Sequence, residues 1–117
     1  MDDSEHVEWL KRLAMKAGFS HRRVIVHKKF PKYEIDCAII DRHGNLLIAL
    51  ESVGSHSAEP EKKQRLKCEG IMLFEFPRNN KLKLARQLLA NEFLEWVKEK
   101  RDESPEKPLW RTFAHRS

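Results

Sequence analysis

Cysteine, glycine and proline are all scarce in this 117-residue chain, at two, four and five residues. Cys37 and Cys68 are too few for a disulfide framework and have no CxxC spacing, so both are read as buried, reduced thiols. The histidines, at 6, 21, 27, 43, 56 and 115, form neither an HExxH pair nor a zinc-finger cluster, so no structural zinc is expected. The low glycine and proline content, beside ordinary hydrophobicity, argues against a disordered chain. Phosphate-binding glycine loops, a nucleophile elbow and a dinucleotide fingerprint are all missing, which disfavours the common small-molecule enzymes. No apolar run approaches the length of a membrane span. The acidic start, MDDSEHVEWLKRL, has the character of neither a signal peptide nor a presequence, and the expected location is the cytoplasm.

Charge is plentiful, with a formal net of +5. Its distribution is uneven: HRRVIVHKKFPK, residues 21–32, holds Arg22, Arg23, Lys28, Lys29 and Lys32 and no acid, whereas the first eight residues are acidic. Such a stretch either guards a strand edge or contacts phosphate. The length fits one domain, placed at residues 1–103. The remainder, 104–117, loses periodicity and reads as a tail, with Trp110 and Phe113 available for docking.

Val7, Leu10, Leu13, Ala14 and Ala17 recur at helical spacing, predicting a first helix capped by Ser4 or an early Asp and stopped at Gly18. RRVIVHKKF, YEIDCAIID and LLIALES read as three strands, the last two joined by RHGN. A short helix in EKKQRLKCEG, a strand in IMLFEF and a long helix from about residue 80 to residue 100 follow. That last helix is expected to present Leu82, Leu84, Leu88, Leu89, Phe93, Trp96 and Val97 on its apolar face. The order is helix, three strands, helix, strand, helix: an α/β fold with a mixed central sheet and helices on both faces. The crossover makes the third and fourth strands parallel.

Asp36 and Glu51 stand out as carboxylates within apolar strands. A two-residue loop at His43-Gly44 or a four-residue loop over Arg42–Asn45 gives paired positions an index sum of 87, placing Asp36 opposite Glu51. Paired side chains sit about 4.5 to 5.5 Å apart on one face. A loop of odd length, or a bulge, shifts that register by one. Carboxylates so placed repel and lose hydration, and a divalent cation, a nearby lysine, a raised pKa or solvated strand ends would each relieve them.

The run IDCAIIDRHGNLLIALESVGSHSAEPEKKQRLKCEGIMLFEF, with its strand order and two acids, resembles the PD-(D/E)XK phosphodiesterase superfamily, the restriction-endonuclease-like fold. Within it, the run looks most like the branch of very-short-patch-repair-type endonucleases. The resemblance spans about Glu5 to Phe76. It implies a Mg²⁺- or Mn²⁺-dependent endonuclease acting on nucleic acid, expected to be DNA. Asp36 and Glu51 would hold metal, and His56 would serve as acid or base. Glu5, or Glu8 one turn on, would be an additional acid.

Val53 stands where the motif has lysine, so that charge would have to come from Lys62 or Lys63 on the next helix, with Lys63 taken as the catalytic one and Lys62 as a phosphate contact beside Arg22, Arg23, Lys28, Lys29 and Lys32. Loss of the motif lysine also fits a catalytically degenerate module of the same fold that binds nucleic acid or a protein. A domain this small would make double-strand cuts as a homodimer or with a larger partner.

Overall fold

A computed structural model describes residues 1–54 and 59–103, with side chains to residue 101. His56 and the tail at 104–117 lie outside the described residues. Helix α1 spans Asp3–Lys16; strands β1, β2 and β3 span Val24–Phe30, Tyr33–Ile40 and Leu46–Val53; α2 spans Pro60–Cys68, β4 Met72–Pro77 and α3 Lys83–Glu103. Short 3₁₀ turns at His21–Arg23 and Asn80–Leu82 lead into β1 and α3. Among the described residues, no helix is long and apolar enough to cross a membrane.

The sheet runs β1-β2-β3-β4, antiparallel until β3 and β4, which are parallel. Alternation along the strands sends side chains to two cores. On one face, Leu10, Leu13 and Ala14 of α1 and Ala90, Phe93 and Val97 of α3 cover Cys37, Ile39, Ile48, Leu50 and Phe76. On the other, Leu66 of α2 meets Ile35, Ala38 and Ala49. The sheet is therefore sandwiched by helices, and α2 alone shares its face with polar strand positions at the carboxyl end of β3.

The cap of α1 is Asp2, whose side chain accepts the Glu5 N–H at 2.8 Å. The predicted face of α1 is buried as expected. In α3 the phase differs: Arg86, Ala90, Phe93 and Val97 point inward, while Leu82, Leu84 and Leu88 are 47, 75 and 56% exposed. These leucines do not belong to the core face, because the position in phase with Ala90 and Phe93 on the first turns is Arg86. Its guanidinium bonds Pro77 O at 3.0 Å and Arg78 O at 3.2 Å, closing the β4–α3 turn. Cys37 is buried, as read, but Cys68, the last residue of α2, is exposed.

The hairpin departs twice from the expected register. Asp41 N–H bonds Asn45 O at 2.9 Å, closing a three-residue loop. Gly44 there has φ +84°, a left-handed position that glycine fills without strain. The Asp41 carboxylate accepts the N–H groups of His43 and Asn45 at 2.8 and 2.9 Å. Ile40 then pairs with Leu46 but Ile39 with Ile48, leaving Leu47 as a bulge. Leu47 and Ile48 both join the α1/α3 core. Odd loop and bulge cancel, and the index sum returns to 87 from Ile39 toward Cys37.

Candidate active site

Regular pairing of β2 with β3 ends at Cys37 and Leu50. One residue further, each acid takes the other strand's backbone. Glu51 Oε2 accepts the Asp36 N–H at 3.0 Å, and Asp36 Oδ2 accepts the Ser52 N–H at 2.8 Å. The ladder is continued by carboxylates in place of carbonyls, so Asp36 and Glu51 face each other within hydrogen-bonding reach. His27, across from Asp36 on β1, has φ +51°, the kind of local irregularity that re-aims strand side chains.

Glu51 is only 3% exposed, so solvated strand ends do not explain the pair. Burial raises its pKa to about 7, reinforced by the Asp36 carboxyl and opposed by Lys62 and the Asp36 N–H. Lys62 reaches from the first turn of α2 to form an ion pair with Glu51 Oε1. Two of the expected compensations, a lysine and a raised pKa, thus operate together. Lys63 points elsewhere: it pairs at 3.0 Å with Glu75, the β4 residue in register with Glu51. It is therefore Lys62, and not Lys63, that stands at the two acids.

An open cleft of about 420 Å³ lies beside Asp36, lined by Lys32, Tyr33, Glu34, Glu59, Glu61, Lys62 and Arg65. Tyr33 is held there by its hydroxyl donating to Glu69 Oε2 at 2.7 Å. Burial, then that bond and the Glu69 charge, push the phenol up to about 12. Glu5 and Glu8 are not brought to this cleft; they line a separate hollow with Met1, Ser4 and Arg12. The basic stretch divides as well. Lys28 and Lys29 pair with Ile35 and Glu34 beside the acids, whereas Arg22 and Arg23 precede Val24, which pairs with Ile39. Arg23 bonds Asp41 O at 3.5 Å, near the hairpin loop.

Behind the acids, on the α1 face, His6 Nδ1 lies 2.7 Å from Ser52 Oγ. His6 is fully buried against Trp9, with ring centroids 5.5 Å apart. Burial first, then Arg86, Arg78 and the chain's amino group, lower its pKa to about 4, so it is neutral at physiological pH. Sequence reasoning missed His6, Ser52, Arg65 and Glu75. His6 was open to detection, since it shares the face of Leu10, Leu13 and Ala17; Glu75 was the one acid in the apolar run IMLFEF.

Chemically, the site offers two carboxylates on facing strands, one cation in contact with Glu51, and an open side wall carrying Lys32 and Arg65 among Glu34, Glu59 and Glu61. Among the described residues no group of three or more His, Cys, Asp or Glu side chains is placed to hold a metal ion. Two carboxylates do suit a hard cation that keeps most of its ligand shell as water or phosphate oxygen. Gly54, just past β3, admits the Arg78 guanidinium: a Cβ there would lie 2.5 Å from its Nη2. Comparison with protein-family models, with curated proteins and with solved structures finds no match for this chain.

Proposed function

We propose that the protein is a metal-dependent nuclease that hydrolyses phosphodiester bonds in nucleic acid, with DNA as the substrate, on a restriction-endonuclease-like fold. The observation that carries this reading is the reciprocal Asp36–Glu51 pair just past the last regular β2–β3 pairing, beside a cleft lined by Lys32, Lys62 and Arg65 as well as by Glu34, Glu59 and Glu61. Helix, three strands, helix and strand in that order around a mixed sheet also support it. Asp36 and Glu51 would hold Mg²⁺ or Mn²⁺. When bound there, the cation supplies Lewis-acid stabilisation of phosphoryl charge and acidifies a water.

The chain's own residues divide the remaining work. Lys62 places positive charge beside the acids, where the superfamily motif's lysine is replaced by Val53. Lys32 and Arg65 in the cleft wall, with Lys28 and Lys29 on the neighbouring edge strand, hold backbone phosphates without reading bases. Arg22 and Arg23, on the turn before Val24, which pairs with Ile39 at the far end of β2, serve only a long substrate. His56, carried by the resemblance alone, would be acid or base. The protein would act in the cytoplasm, as a homodimer when cutting both strands.

A second reading, a degenerate module that binds nucleic acid or a protein without cutting, draws on the Lys62 ion pair, which already compensates Glu51. Cleavage of labelled duplex and single-stranded DNA, and of RNA, with Mg²⁺ or Mn²⁺ separates the two. The nuclease reading expects metal-dependent cleavage that Asp36→Ala or Glu51→Ala abolishes while the fold persists. Binding without cleavage, unaffected by either substitution, would favour the module.

A further inference from the structure

The two oxygens of the Glu51 carboxylate face different partners. Oε2 accepts the Asp36 backbone N–H, and Oε1 faces the Lys62 ammonium. The first partner is fixed by the strand; the second sits on a flexible four-carbon stem. Oε1 is thus the oxygen whose partner can move away, and a divalent cation that takes it displaces Lys62. The Lys62 side chain is 22% exposed and lines the cleft that also opens on Asp36, Lys32 and Arg65, so it has somewhere to go. Lys63, next in sequence, is held by Glu75 on β4 and takes no part.

We propose that Lys62 is an exchangeable counter-ion. It holds Glu51 while the site lacks metal, gives up Oε1 when a divalent cation enters, and then carries its charge into the cleft to meet a substrate phosphate. The inference rests on the reading of Asp36 and Glu51 as a metal site. Charge accounting supports it: Asp36, Glu51, Glu34, Glu59 and Glu61 against Lys32, Lys62 and Arg65 leave the cleft at −2, which repels a phosphodiester, whereas a bound divalent cation neutralises it. Metal entry thus removes that repulsion and frees the group that matches one phosphate charge. A permanent structural pair would do neither.

The test uses the whole chain. Nitrogen-15 NMR of the lysine ammonium groups follows Lys62 as Mg²⁺ is added, with Lys62→Met providing the assignment; calorimetry gives Mg²⁺ affinity for wild type and Lys62→Met at pH 8. The expected result is a Lys62 signal that moves with a midpoint equal to the calorimetric Kd. Lys62→Met, freed of the competing cation, should bind Mg²⁺ roughly ten-fold more tightly. Binding by the variant but not by wild type would show that Lys62 is a permanent pair that blocks the site, and would overturn the exchange. If wild type binds Mg²⁺ while the Lys62 signal stays in place, or if a folded Lys62→Met binds no more tightly, the exchange is refuted and the metal site stands. If neither protein binds Mg²⁺, the metal-site reading itself fails, and the exchange with it.

Discussion

Replacing Glu51 by Gln tests the electrostatics of the site without requiring any substrate. Glutamine keeps an acceptor for the Asp36 N–H but cannot ionise. In the native protein burial and the Asp36 carboxyl raise the Glu51 pKa from 4.5 to about 7. A carboxyl whose folded pKa is raised binds its proton more tightly in the folded state. Its contribution to stability is therefore fully present below the unfolded pKa and is lost as pH rises through the folded one. At about 1.4 kcal/mol per unit, that loss is about 3 kcal/mol between pH 4.5 and 7, borne by wild type and not by Glu51→Gln.

Wild type alone conceals the effect. His6, lowered to about 4, contributes stability above its unfolded pKa of 6.5 that is lost as pH falls toward 4, and so runs in the opposite direction through nearly the same window. The difference between variant and wild type isolates Glu51. Urea or thermal unfolding in EDTA from pH 5 to 8.5 should show Glu51→Gln gaining on wild type by about 2 to 3 kcal/mol, or roughly 10 °C in Tm. A difference that stays flat with pH, or one in which wild type gains as pH rises, would refute the buried, destabilised carboxylate.

Other perturbations test the frame around the site. His6→Phe should remove the acid lability, so that its stability relative to wild type rises as pH falls from 6.5 to 4, with the lost Ser52 bond costing about 1 kcal/mol at neutral pH; melts across that range decide it. Gly44→Ala, forced to φ +84°, should cost about 1 to 2 kcal/mol in urea unfolding. Arg86→Met removes the donor to two turn carbonyls and should cost about 2 to 4 kcal/mol. Neutralising Lys28 and Lys29 should lower the salt slope of duplex binding by up to about 0.9 per lost phosphate contact, more than neutralising Arg22 and Arg23 does on a short duplex. Fluorescence anisotropy over a salt series reads that difference.

The strands and helices were legible because their periods are unmistakable: Val7, Leu10, Leu13 and Ala14 at helical spacing, and apolar runs bounded by Gly and Pro. The Asp36–Glu51 juxtaposition was legible too, although not for the expected reason. An Asp41-capped, three-residue loop ending at Gly44 shifts the register by one and the Leu47 bulge shifts it back, and no local signal in an all-apolar LLIAL marks where a bulge will fall. The choice between Lys62 and Lys63 hung on helical rotation: adjacent residues lie about 100° apart on α2, and only packing of Leu66 against the sheet sets which one meets Glu51. Leu84 and Leu88 misled because a leucine pair at i, i+4 looks like a core face. Arg86, the residue in phase, hides its role behind its charge.

The proposed nuclease activity requires that Asp36 and Glu51 form one divalent-cation site. Calorimetric titration of the purified protein with Mg²⁺ and Mn²⁺, beside the Asp36→Ala, Glu51→Ala double variant, tests it most directly. The account predicts saturable binding by wild type, with a gain in Tm on metal addition, and loss of both in the double variant. Absence of binding by wild type, or binding that survives in the folded double variant, would contradict it.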